Sequence, residues 1–375
     1  MKVLHAVTLH SPSHAFGGPV RVALNLTKGL RTRGHQARLL ALGEGFPEPW
    51  PTEVEGVPAQ LFPARRLLPL GFSGMTSPAL LASAGRLVRD ADAVHVHLAR
   101  DLVTLPVALA ALRAGKPLVL QTHGMVDPSE KLLAKVLDAV AVRRLLRGAD
   151  AVLYLTPHER AGLDAVAGSP LEKAVRLVNG TPAQEARPAP AGAPRILYSA
   201  RLQARKRPVD FVDAAPAVLA AHPDAQFVVA GPDEGELAAV RARIAELGLT
   251  DRFTVPGALS SAEVLTELRR AHVYVLPSVD EPFPMSVLEA LAVGVPPVVT
   301  HSNGLARDIA RSGAGLAVEP GPAGVAAAVL SLLDPGANRA ASLAARELAA
   351  SSFSMDAVLD TLLAVYEEAR RPALR

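Results

Sequence analysis

The sequence places two cations on one short segment, RLQARK, in which Arg201 and Lys206 stand five residues apart. This segment directly follows Arg195–Ser199, an apolar stretch that is typical of a buried strand. An arginine guanidinium binds phosphate through a planar fork of N–H groups, and a lysine ammonium adds a mobile point charge. Two such groups on a loop after a strand can converge on one polyanion. The alternative is a solvated basic loop that leads into a helix.

A second candidate is the segment EPFPMSVLE, whose carboxylates Glu281 and Glu289 have seven residues between them. Pro284 stands where a helix would begin, and the unpaired N–H groups of a first helical turn form an anion site. Glu281, before that turn, and Glu289, about one turn into the helix, would flank the anion with acceptors for hydroxyl groups. The spacing therefore suits a sugar or ribose joined to a phosphate. The alternative is two ordinary glutamates, of which the first stabilises the helix dipole.

Two glycines and a histidine in the first half also follow predicted strands. Gly17 and Gly18 open a helix after the first strand, where a backbone without side chains lets a ligand approach closely; a tight turn is the alternative. No G-x-G-x-x-G dinucleotide fingerprint follows that strand. His123, within the sequence THG after another strand, is placed to contact a ligand. His95 and His97 share one strand face without a third residue at metal-ligand spacing, which predicts core or cleft-wall positions.

These residues require strands to position them, and the sequence supplies two series of strands. Short apolar runs alternate with amphipathic segments of helical period in both halves of the chain, which predicts two α/β domains with largely parallel sheets. A break rich in proline and alanine at residues 181–194 is typical of a linker. Ligands of open parallel sheets bind beyond the carboxyl ends of the strands. We therefore expect the candidate residues to line a cleft between the two domains.

Composition limits the classes of function. Half of the 375 residues are hydrophobic and none is cysteine, which excludes disulfides, a thiolate nucleophile and cysteine-ligated zinc. No apolar stretch reaches the about 20 residues that span a bilayer, so we expect a cytoplasmic protein that at most contacts a membrane surface. Residues 1–187 carry a net charge of +7, and residues 188–375 a net charge of −4. The basic first half suits anionic ligands, but without an aromatic platform or a recognition helix we expect no nucleic acid.

One segment of the basic half has the composition of a membrane-surface helix. From Ser129 to Arg147 it carries five basic and two acidic residues, and its leucines and valines recur at helical spacing. Such a helix can rest on an anionic membrane or contact a lipid-linked substrate. The alternative, which we favour from the sequence, is a helix whose apolar face packs on the core while its basic face meets solvent.

Together, these motifs resemble the retaining glycosyltransferases of family four, which have a GT-B fold. Glu281 and Glu289 within EPFPMSVLEALAVGVPPVV match most strongly, and RLQARK is similar to the family's R-L-x-x-x-K. The glycine pair, THG, an Asn-Gly at 179–180 and the closing FSMDAVLDTLLAVYEEA also fit, so the resemblance spans nearly the whole chain.

The resemblance implies an α/β fold of two Rossmann-like, doubly wound domains that face each other across a cleft. It implies an acceptor domain over residues 1–185 and a nucleotide-sugar donor domain over residues 193–352. A helix within residues 353–375 would cross back and pack on the first domain.

The resemblance also implies roles in the donor domain. Arg201 and Lys206 would act in catalysis by binding the donor diphosphate and neutralising it as it leaves. Glu281 would hold the donor sugar, and Glu289 would bind the ribose hydroxyls. Further contacts to sugar and phosphate would come from the backbone amides of Phe283, Met285 and Ser286.

The remaining implied contacts concern phosphate, sugar and base. Gly17 and Gly18 would approach the donor phosphates, His123 would contact the transferred sugar near the reacting carbon, and the nucleobase would lie near Val255. The sequence departs from the family at residues 200, 207 and 282, where alanine, arginine and proline stand in place of the usual glycines. These changes leave the identity of the donor sugar open.

The implied reaction transfers a sugar, with retention, from a UDP- or GDP-sugar to a hydroxyl of a glycan, a lipid-linked glycan or a small molecule. Bacterial polysaccharide or glycoconjugate synthesis is the expected setting. No D-x-D sequence calls for a metal, so we expect neither a metal nor another cofactor. Three alternatives stay open: natural-product glycosylation, a sugar-nucleotide epimerase or hydrolase on the same fold, and an inactive subunit that binds nucleotide sugars.

Overall fold

In a computed structural model the described residues are 1–12, 17–46, 48–68, 71–189 and 191–371. They form two compact units, one from Met1–Gly180 with Met355–Arg375 and one from Thr181–Ser354. Residues 372–375, the end of the segment predicted to cross back to the first domain, lie outside the described part. Each unit is built on a parallel sheet, as the alternation of apolar runs and amphipathic segments predicts.

The first unit contains a sheet of eight strands. The side chains of its central strands are mostly apolar and buried on both faces, as is typical of parallel strands covered by helices. The strands of this unit are β1 (Lys2–His10), β2 (Gln36–Gly43), β3 (Glu53–Val54), β4 (Val57–Pro63), β5 (Arg65–Arg66), β6 (Met75–Thr76), β7 (Ala93–His97), β8 (Leu118–Gln121), β9 (Ala151–Tyr154) and β10 (Ala174–Arg176). The spatial order is β10-β9-β8-β7-β1-β2-β4-β3, with β3 antiparallel to β4, while β5 and β6 form a separate ribbon.

One helix of the first unit, Pro157–Ala167, begins and ends at recognisable signals. Thr156 Oγ1 accepts the Glu159 N–H at 3.2 Å, Pro157 occupies the first turn, and Gly168 ends the helix in the left-handed region (φ 76°). The helices of this unit are α1 (Gly17–Thr32), α2 (Pro78–Arg89), α3 (Thr104–Arg113), α4 (Leu132–Leu137), α5 (Arg143–Gly148) and α6 (Pro157–Ala167).

The basic, apolar segment predicted from Ser129 to Arg147 is helical from Leu132 onward, but its first turns do not pack on the core as the favoured interpretation predicts. A π-helical turn at Asp138–Val142 joins α4 to α5. Buried residues begin only with that turn, because α4 itself contains none. Four apolar side chains are exposed, by 43–78%: Leu132, Leu133, Val136 and Val140. The core-facing interpretation is therefore wrong for α4, whose apolar face meets solvent.

The second unit has a sheet of six strands, all parallel. The strands are β11 (Arg195–Ser199), β12 (Gln226–Ala230), β13 (Phe253–Gly257), β14 (Val273–Leu276), β15 (Pro297–Thr300) and β16 (Leu316–Val318), and the spatial order is β13-β12-β11-β14-β15-β16. The order reverses between β11 and β14, so the loops after these two strands leave the same edge in opposite directions. In open α/β sheets that crevice is where ligands bind.

The helices of the second unit cover its sheet, and one more helix returns to the first unit. They are α7 (Pro208–Ala221), α8 (Leu237–Glu246), α9 (Ser261–Arg270), α10 (Met285–Val293), α11 (Ala306–Ser312), α12 (Pro322–Leu333) and α13 (Pro335–Ser352). The last helix, α14 (Met355–Arg370), packs on α1. Gly29 permits this contact, because a Cβ there would lie 2.4 Å from Leu359 Cδ1, and Arg33 donates to Asp356 Oδ1 at 3.1 Å.

Candidate active site

The switch point of the second sheet, which is the place between β11 and β14 where the strand order reverses, contains a buried ion pair. The loop after β11 carries Lys206 and the loop after β14 carries Glu281, and the Lys206 ammonium donates to Glu281 Oε2. Only 7% of Lys206 and 8% of Glu281 is exposed. Arg205 lies 3.7 Å from the same carboxylate oxygen and donates to the Asp280 carbonyl at 3.0 Å. The fold thus brings together two residues of the sequence prediction that are 75 positions apart.

Burial and charge act on this pair in opposite directions. Burial lowers the pKa of the Lys206 ammonium below its ordinary value, and the adjacent Glu281 carboxylate opposes that shift. An ammonium has three N–H groups, so Lys206 can keep its bond to Glu281 and still donate to a phosphate oxygen. The arrangement supplies a fixed cation in a partly dehydrated place, where charge interactions are stronger than in water.

The backbone on both sides of the pair adopts the left-handed region. Arg207, directly after Lys206, has φ 51°, and Asp280, directly before Glu281, has φ 50°. Such angles strain residues with side chains and favour glycine, the residue that the family usually has at position 207. At position 200 an alanine can replace the usual glycine, because the neighbouring loop supplies the glycine at this close contact. A Cβ on Gly231 would lie 1.8 Å from the Ala200 carbonyl oxygen.

Arg201 lies at the rim of this site rather than in the buried pair. Its Nη1 donates to both carboxylate oxygens of Glu234, at 3.0 and 3.1 Å, and 38% of its side chain is exposed. The loop of Glu234 follows β12 and is fixed beside that of Arg201, because the Leu202 N–H donates to the Pro232 carbonyl at 2.8 Å. Arg201 and Lys206 therefore lie on the same loop but bind two different carboxylates, those of Glu234 and Glu281.

Helix α10 begins directly behind the pair. It has Pro284 at its N-cap and no side-chain cap, so the N–H groups of Met285 and Ser286 stand in its first turn. The Tyr274 hydroxyl lies 2.8 Å from Ser286 Oγ and 2.9 Å from the Ser199 carbonyl oxygen, which connects α10 to β14 and β11. Burial raises the pKa of this phenol above its ordinary value, so it remains protonated.

The other residues predicted for the donor lie around this core. Glu289 is half-buried in the second turn of α10. Phe283 is buried and packs edge-on against Phe353, with ring centroids 5.8 Å apart. Val255 is half-buried in the edge strand β13, whose last residue, Gly257, accepts the Gly231 N–H at 2.8 Å. The end of β13, two residues beyond Val255, thereby lies beside the loop that carries Glu234.

The switch point of the first sheet, between β1 and β7, contains histidines instead of charges. His123 follows β8 and lies in a turn, in which the Met125 N–H donates to the Thr122 carbonyl at 2.8 Å. His123 Nε2 lies 2.7 Å from His97 Nδ1, and His97 Nε2 lies 3.2 Å from His5 Nδ1. His5 and His95 are opposite each other in the register of β1 and β7. Burial lowers the pKa of all four rings, to about 3 for His5 and His123, so they are neutral near pH 7.

The turn of His123 is held by a buried carboxylate. Glu159 Oε1 accepts from Thr122 Oγ1 and from the Gly124 N–H, both at 2.6 Å, and Glu159 Oε2 accepts the Leu155 N–H at 2.6 Å. His123 and Gly124 both have positive φ, 52° and 71°, which is the geometry of a type I′ turn. The carboxylate offsets the strain of a histidine in this region.

The glycines predicted to approach phosphate lie at the start of α1. This helix begins at Gly17, and among the described residues a Cβ on Gly18 would meet no atom within 4 Å. Residues 13–16, which precede them, lie outside the described part. Gly17, Gly18 and His123 belong to the first unit, whereas the other predicted site residues belong to the second.

Three residues that contribute to these sites were not predicted. Glu234 sits in the turn GPDEG after β12, a sequence that marks a loop but not a partner for Arg201. Glu159 stands three residues after Thr156, which predicts a capping box, yet its carboxylate binds the His123 turn instead. His5 is the third histidine near His95 and His97; ring nitrogens of the three lie within 4.8 Å of one another, a spacing that can hold a metal. It was missed because it lies on a different strand.

Comparison with known families accounts for most of the chain. Residues 17–180 match the model of the glycosyl transferase 4-like domain, and residues 182–347 match that of the glycosyl transferases group 1. The protein is also similar to the Anabaena protein HepE in complex with UDP and glucose, at 19% identity and a TM-score of 0.77 over 98% of this chain and 99% of that one. The prediction of the GT-B fold is confirmed.

Curated relatives differ in what their names say they do. A glycogen synthase of Mycobacterium tuberculosis is 31% identical over 60% of this chain, and the match covers only 56% of that relative. A GDP-mannose:cellobiosyl-diphosphopolyprenol alpha-mannosyltransferase of Xanthomonas oryzae is 27% identical over 85% of this chain and 83% of the relative. An alpha-D-kanosaminyltransferase of Streptomyces kanamyceticus is 28% identical over 93% of both chains. In the described residues, no helix combines the length and apolar character that a membrane span requires.

Proposed function

The chain belongs to the glycosyl transferases of group 1, the family-four proteins with a GT-B fold, and on this premise we propose that it is a retaining glycosyltransferase. Its donor would be a UDP- or GDP-sugar and its acceptor a hydroxyl group. One observation carries the proposal: the buried pair of Lys206 and Glu281 at the switch point of the second sheet, beside the first turn of α10. A cation and free helical N–H groups at that position suit a leaving diphosphate.

The proposed reaction breaks the bond between the anomeric carbon and the donor phosphate through an oxocarbenium-like state. Lys206 and Arg201 would stabilise the negative charge that grows on the diphosphate, which is electrostatic preorganisation. The acceptor oxygen forms the new bond on the face that the diphosphate leaves, and its proton passes to the departing phosphate oxygen. The stereochemistry is retained without the nucleophilic carboxylate of a retaining glycosidase.

The remaining donor contacts are those that the family resemblance implies. Glu281 would hold the sugar with the amides of the α10 start, and Glu289 would accept hydrogen bonds from the ribose hydroxyls. Val255 would contact the base, while Gly17, Gly18 and His123 would contribute from the first unit. Because Lys206 and Arg201 supply the positive charge, the reaction would need no metal ion.

Nucleotide binding tests the proposed donor site. Thermal unfolding would be followed with UDP, GDP, ADP and TDP in the presence of EDTA. Ligand at a hundred times its Kd should raise the free energy of unfolding by about 2.7 kcal/mol. We expect UDP or GDP to stabilise the wild type and the Lys173→Ala variant, whose lysine is 63% exposed, but not Lys206→Ala. No stabilisation by any nucleotide would contradict the proposal and favour the inactive subunit.

For the acceptor we propose a lipid-linked glycan at the inner face of the bacterial membrane. The exposed apolar residues of α4 and the following turn lie among exposed cations: Lys131, Lys135, Arg143 and Arg144. Apolar insertion combined with positive charge is the chemistry of a helix that binds anionic lipid. One relative is named for a polyprenol-linked acceptor and thus supports this choice. The relative named kanosaminyltransferase favours a small-molecule acceptor as the second candidate.

Vesicle sedimentation separates these two acceptor classes. At low salt the wild type should sediment with vesicles of phosphatidylglycerol and much less with phosphatidylcholine. Replacing Leu132 and Val140 by Asp should abolish that binding, because each places a charge on the apolar face. Leu343→Asp is the matched control, since Leu343 is 65% exposed but lies on α13. Equal sedimentation of both variants, or none by the wild type, would overturn the membrane contact.

A further inference from the structure

A chain of hydrogen-bonded rings connects the half-buried His123 to the buried Tyr366 on α14. From His123 it passes to His97 (2.7 Å), to His5 (3.2 Å) and on to the Tyr366 hydroxyl, which lies 3.4 Å from His5 Nε2. The same hydroxyl lies 2.7 Å from His95 Nδ1. Tyr366 stands on α14, and its side chain is fully buried. His123, the half-buried member, is the end of the chain nearest to solvent.

The protons of this chain are coupled. A neutral imidazole has one N–H and one acceptor nitrogen, so a ring bonded at both nitrogens must donate at one and accept at the other. His5 and His97 are each bonded at both nitrogens. The direction of one hydrogen bond therefore determines the direction of the next.

Two proton orders are possible. If Tyr366 donates to His5, then His5 donates to His97, His97 donates to His123 Nε2, and the proton of His123 is on Nδ1. If Tyr366 donates to His95, each bond from His5 to His123 reverses, and the proton of His123 is on Nε2. A phenol has a single proton to give, so Tyr366 selects between the two orders.

We propose that Tyr366 is a positioning residue that fixes the tautomer of His123 through His5 and His97. The inference rests on the proposed function, in which His123 contacts the transferred sugar: the tautomer decides whether His123 Nδ1 offers a proton or a lone pair. A histidine that only packs in the core would not need a chain of hydrogen bonds that continues through β1, β7 and α14. The Tyr366 hydroxyl thus links the last helix of the chain to the sugar contact.

Nitrogen NMR of protein labelled with ¹⁵N-histidine tests the chain without any need for activity. In the wild type we expect the two ring nitrogens of His123 to have the shifts of a single tautomer. Tyr366→Phe removes the terminal hydroxyl and should move those shifts toward the average of both tautomers. Tyr154→Phe is the matched control, because Tyr154 is in the same unit and outside the chain of rings. Unchanged His123 shifts in Tyr366→Phe would overturn the proposal.

Kinetics separate this inference from the proposed function. With an active donor and acceptor, Tyr366→Phe should lower kcat about fivefold, as expected for one neutral hydrogen bond, and leave the donor KM within twofold. Transfer with unaltered kcat and tautomer would overturn the chain and leave the proposed function standing. Stoichiometric zinc in purified wild type that is absent from His97→Asn would also overturn the chain, since a nitrogen that ligates a metal is not free to make its hydrogen bond.

Discussion

The two switch points of this protein occupy the same place in two similar sheets but differ in chemistry. Between β11 and β14 the candidate side chains are ionic and stand on loops, as Lys206 and Glu281 do. Between β1 and β7 they are neutral rings, and His5 and His97 stand on the strands themselves. Charges tolerate burial only when paired, whereas neutral rings need only hydrogen bonds. The first arrangement suits a charged ligand, and the second suits sugar hydroxyls.

The comparison also shows that net charge would not locate the proposed phosphate site. The basic half of the sequence carries +7, yet the paired cations Arg201 and Lys206 lie in the half that carries −4. The excess of the first half includes the exposed cations around α4, which suit a surface contact. A ligand responds to the few charges fixed beside it, because more distant exposed charges are screened within about 10 Å at 0.1 M salt.

The largest expected effect comes from breaking the ionic switch point. Lys206→Ala should lower kcat about 10² to 10³-fold, the usual loss when one fixed donor to a developing charge is removed. Arg205, 3.7 Å from Glu281, remains to pair with that carboxylate, so the fold should survive. Steady-state transfer assays and circular dichroism measure the two consequences. The control is Lys173→Ala, and turnover of Lys206→Ala within tenfold of the wild type would remove Lys206 from the catalytic machinery.

The elements that the sequence predicted correctly are those with strong local signals. Short runs that are apolar apart from one terminal glutamine predict strands at Leu118–Gln121 and Gln226–Ala230, and the structure has both with these bounds. The amphipathic segments that follow a proline predict helices at Pro78–Arg89 and Pro208–Ala221, and both helices have these bounds, with the proline in the first turn. The hairpin of β3 and β4, with Val57–Pro63 only half-buried, and the alanine-rich helix Pro335–Ser352 lack a clear apolar period and were missed.

Site residues were predictable as positions after strands, but not as pairs. Lys206 and Glu281 are 75 residues apart, and His5 and His97 are 92 apart, distances over which spacing carries no information about contact. Sheet order and register bring them together. The exposure of Leu132 and Val140 was unpredictable for a related reason, because an amphipathic pattern shows that a face is apolar but not what covers it.

An effect of intermediate size is expected in acid, because the stability of the first unit should depend on pH through its buried histidines. The buried rings have pKa values below the ordinary 6.5, so the unfolded state takes up protons that the folded first unit does not. Their contribution to stability is complete above pH 6.5 and declines as the pH falls through 6.5 toward 3. Near pH 5.5 each ring should contribute a slope of about 1 kcal/mol per pH unit. Fluorescence of Trp50, the one tryptophan of the sequence, follows the first unit, since its ring packs on Gly43.

Matched histidine variants show whether this slope comes from the chain of rings. His95→Gln should reduce the dependence of the Trp50 unfolding midpoint on pH, whatever it does to stability at pH 7.5. His158→Gln, at an exposed residue of the same unit, should leave the dependence as it is. A slope that is identical in the wild type and His95→Gln would show that buried histidines do not set the acid sensitivity of the first unit.

The smallest expected effect concerns the rim of the ionic site. Glu234 holds Arg201 through two hydrogen bonds, so an arriving diphosphate must compete with a carboxylate for the same guanidinium. Glu234→Gln removes that competitor. Because an exposed pair contributes about 0.2–1 kcal/mol, affinity for UDP or GDP should rise about 1.4- to 5-fold in titration calorimetry, and the gain should shrink at 1 M salt.

The outcome of that measurement refines the contrast between the two switch points. Glu246→Gln is the control, since Glu246 is 63% exposed and pairs with Arg243 in the same unit, away from the site. Weaker binding by Glu234→Gln would mean that the carboxylate orients Arg201 for the ligand instead of competing with it. Tighter binding would mean that the ionic site keeps its cations occupied until a diphosphate displaces the carboxylate. Such a displacement is available only where charges bind the ligand, because the neutral rings of the first unit have no counter-ion to exchange.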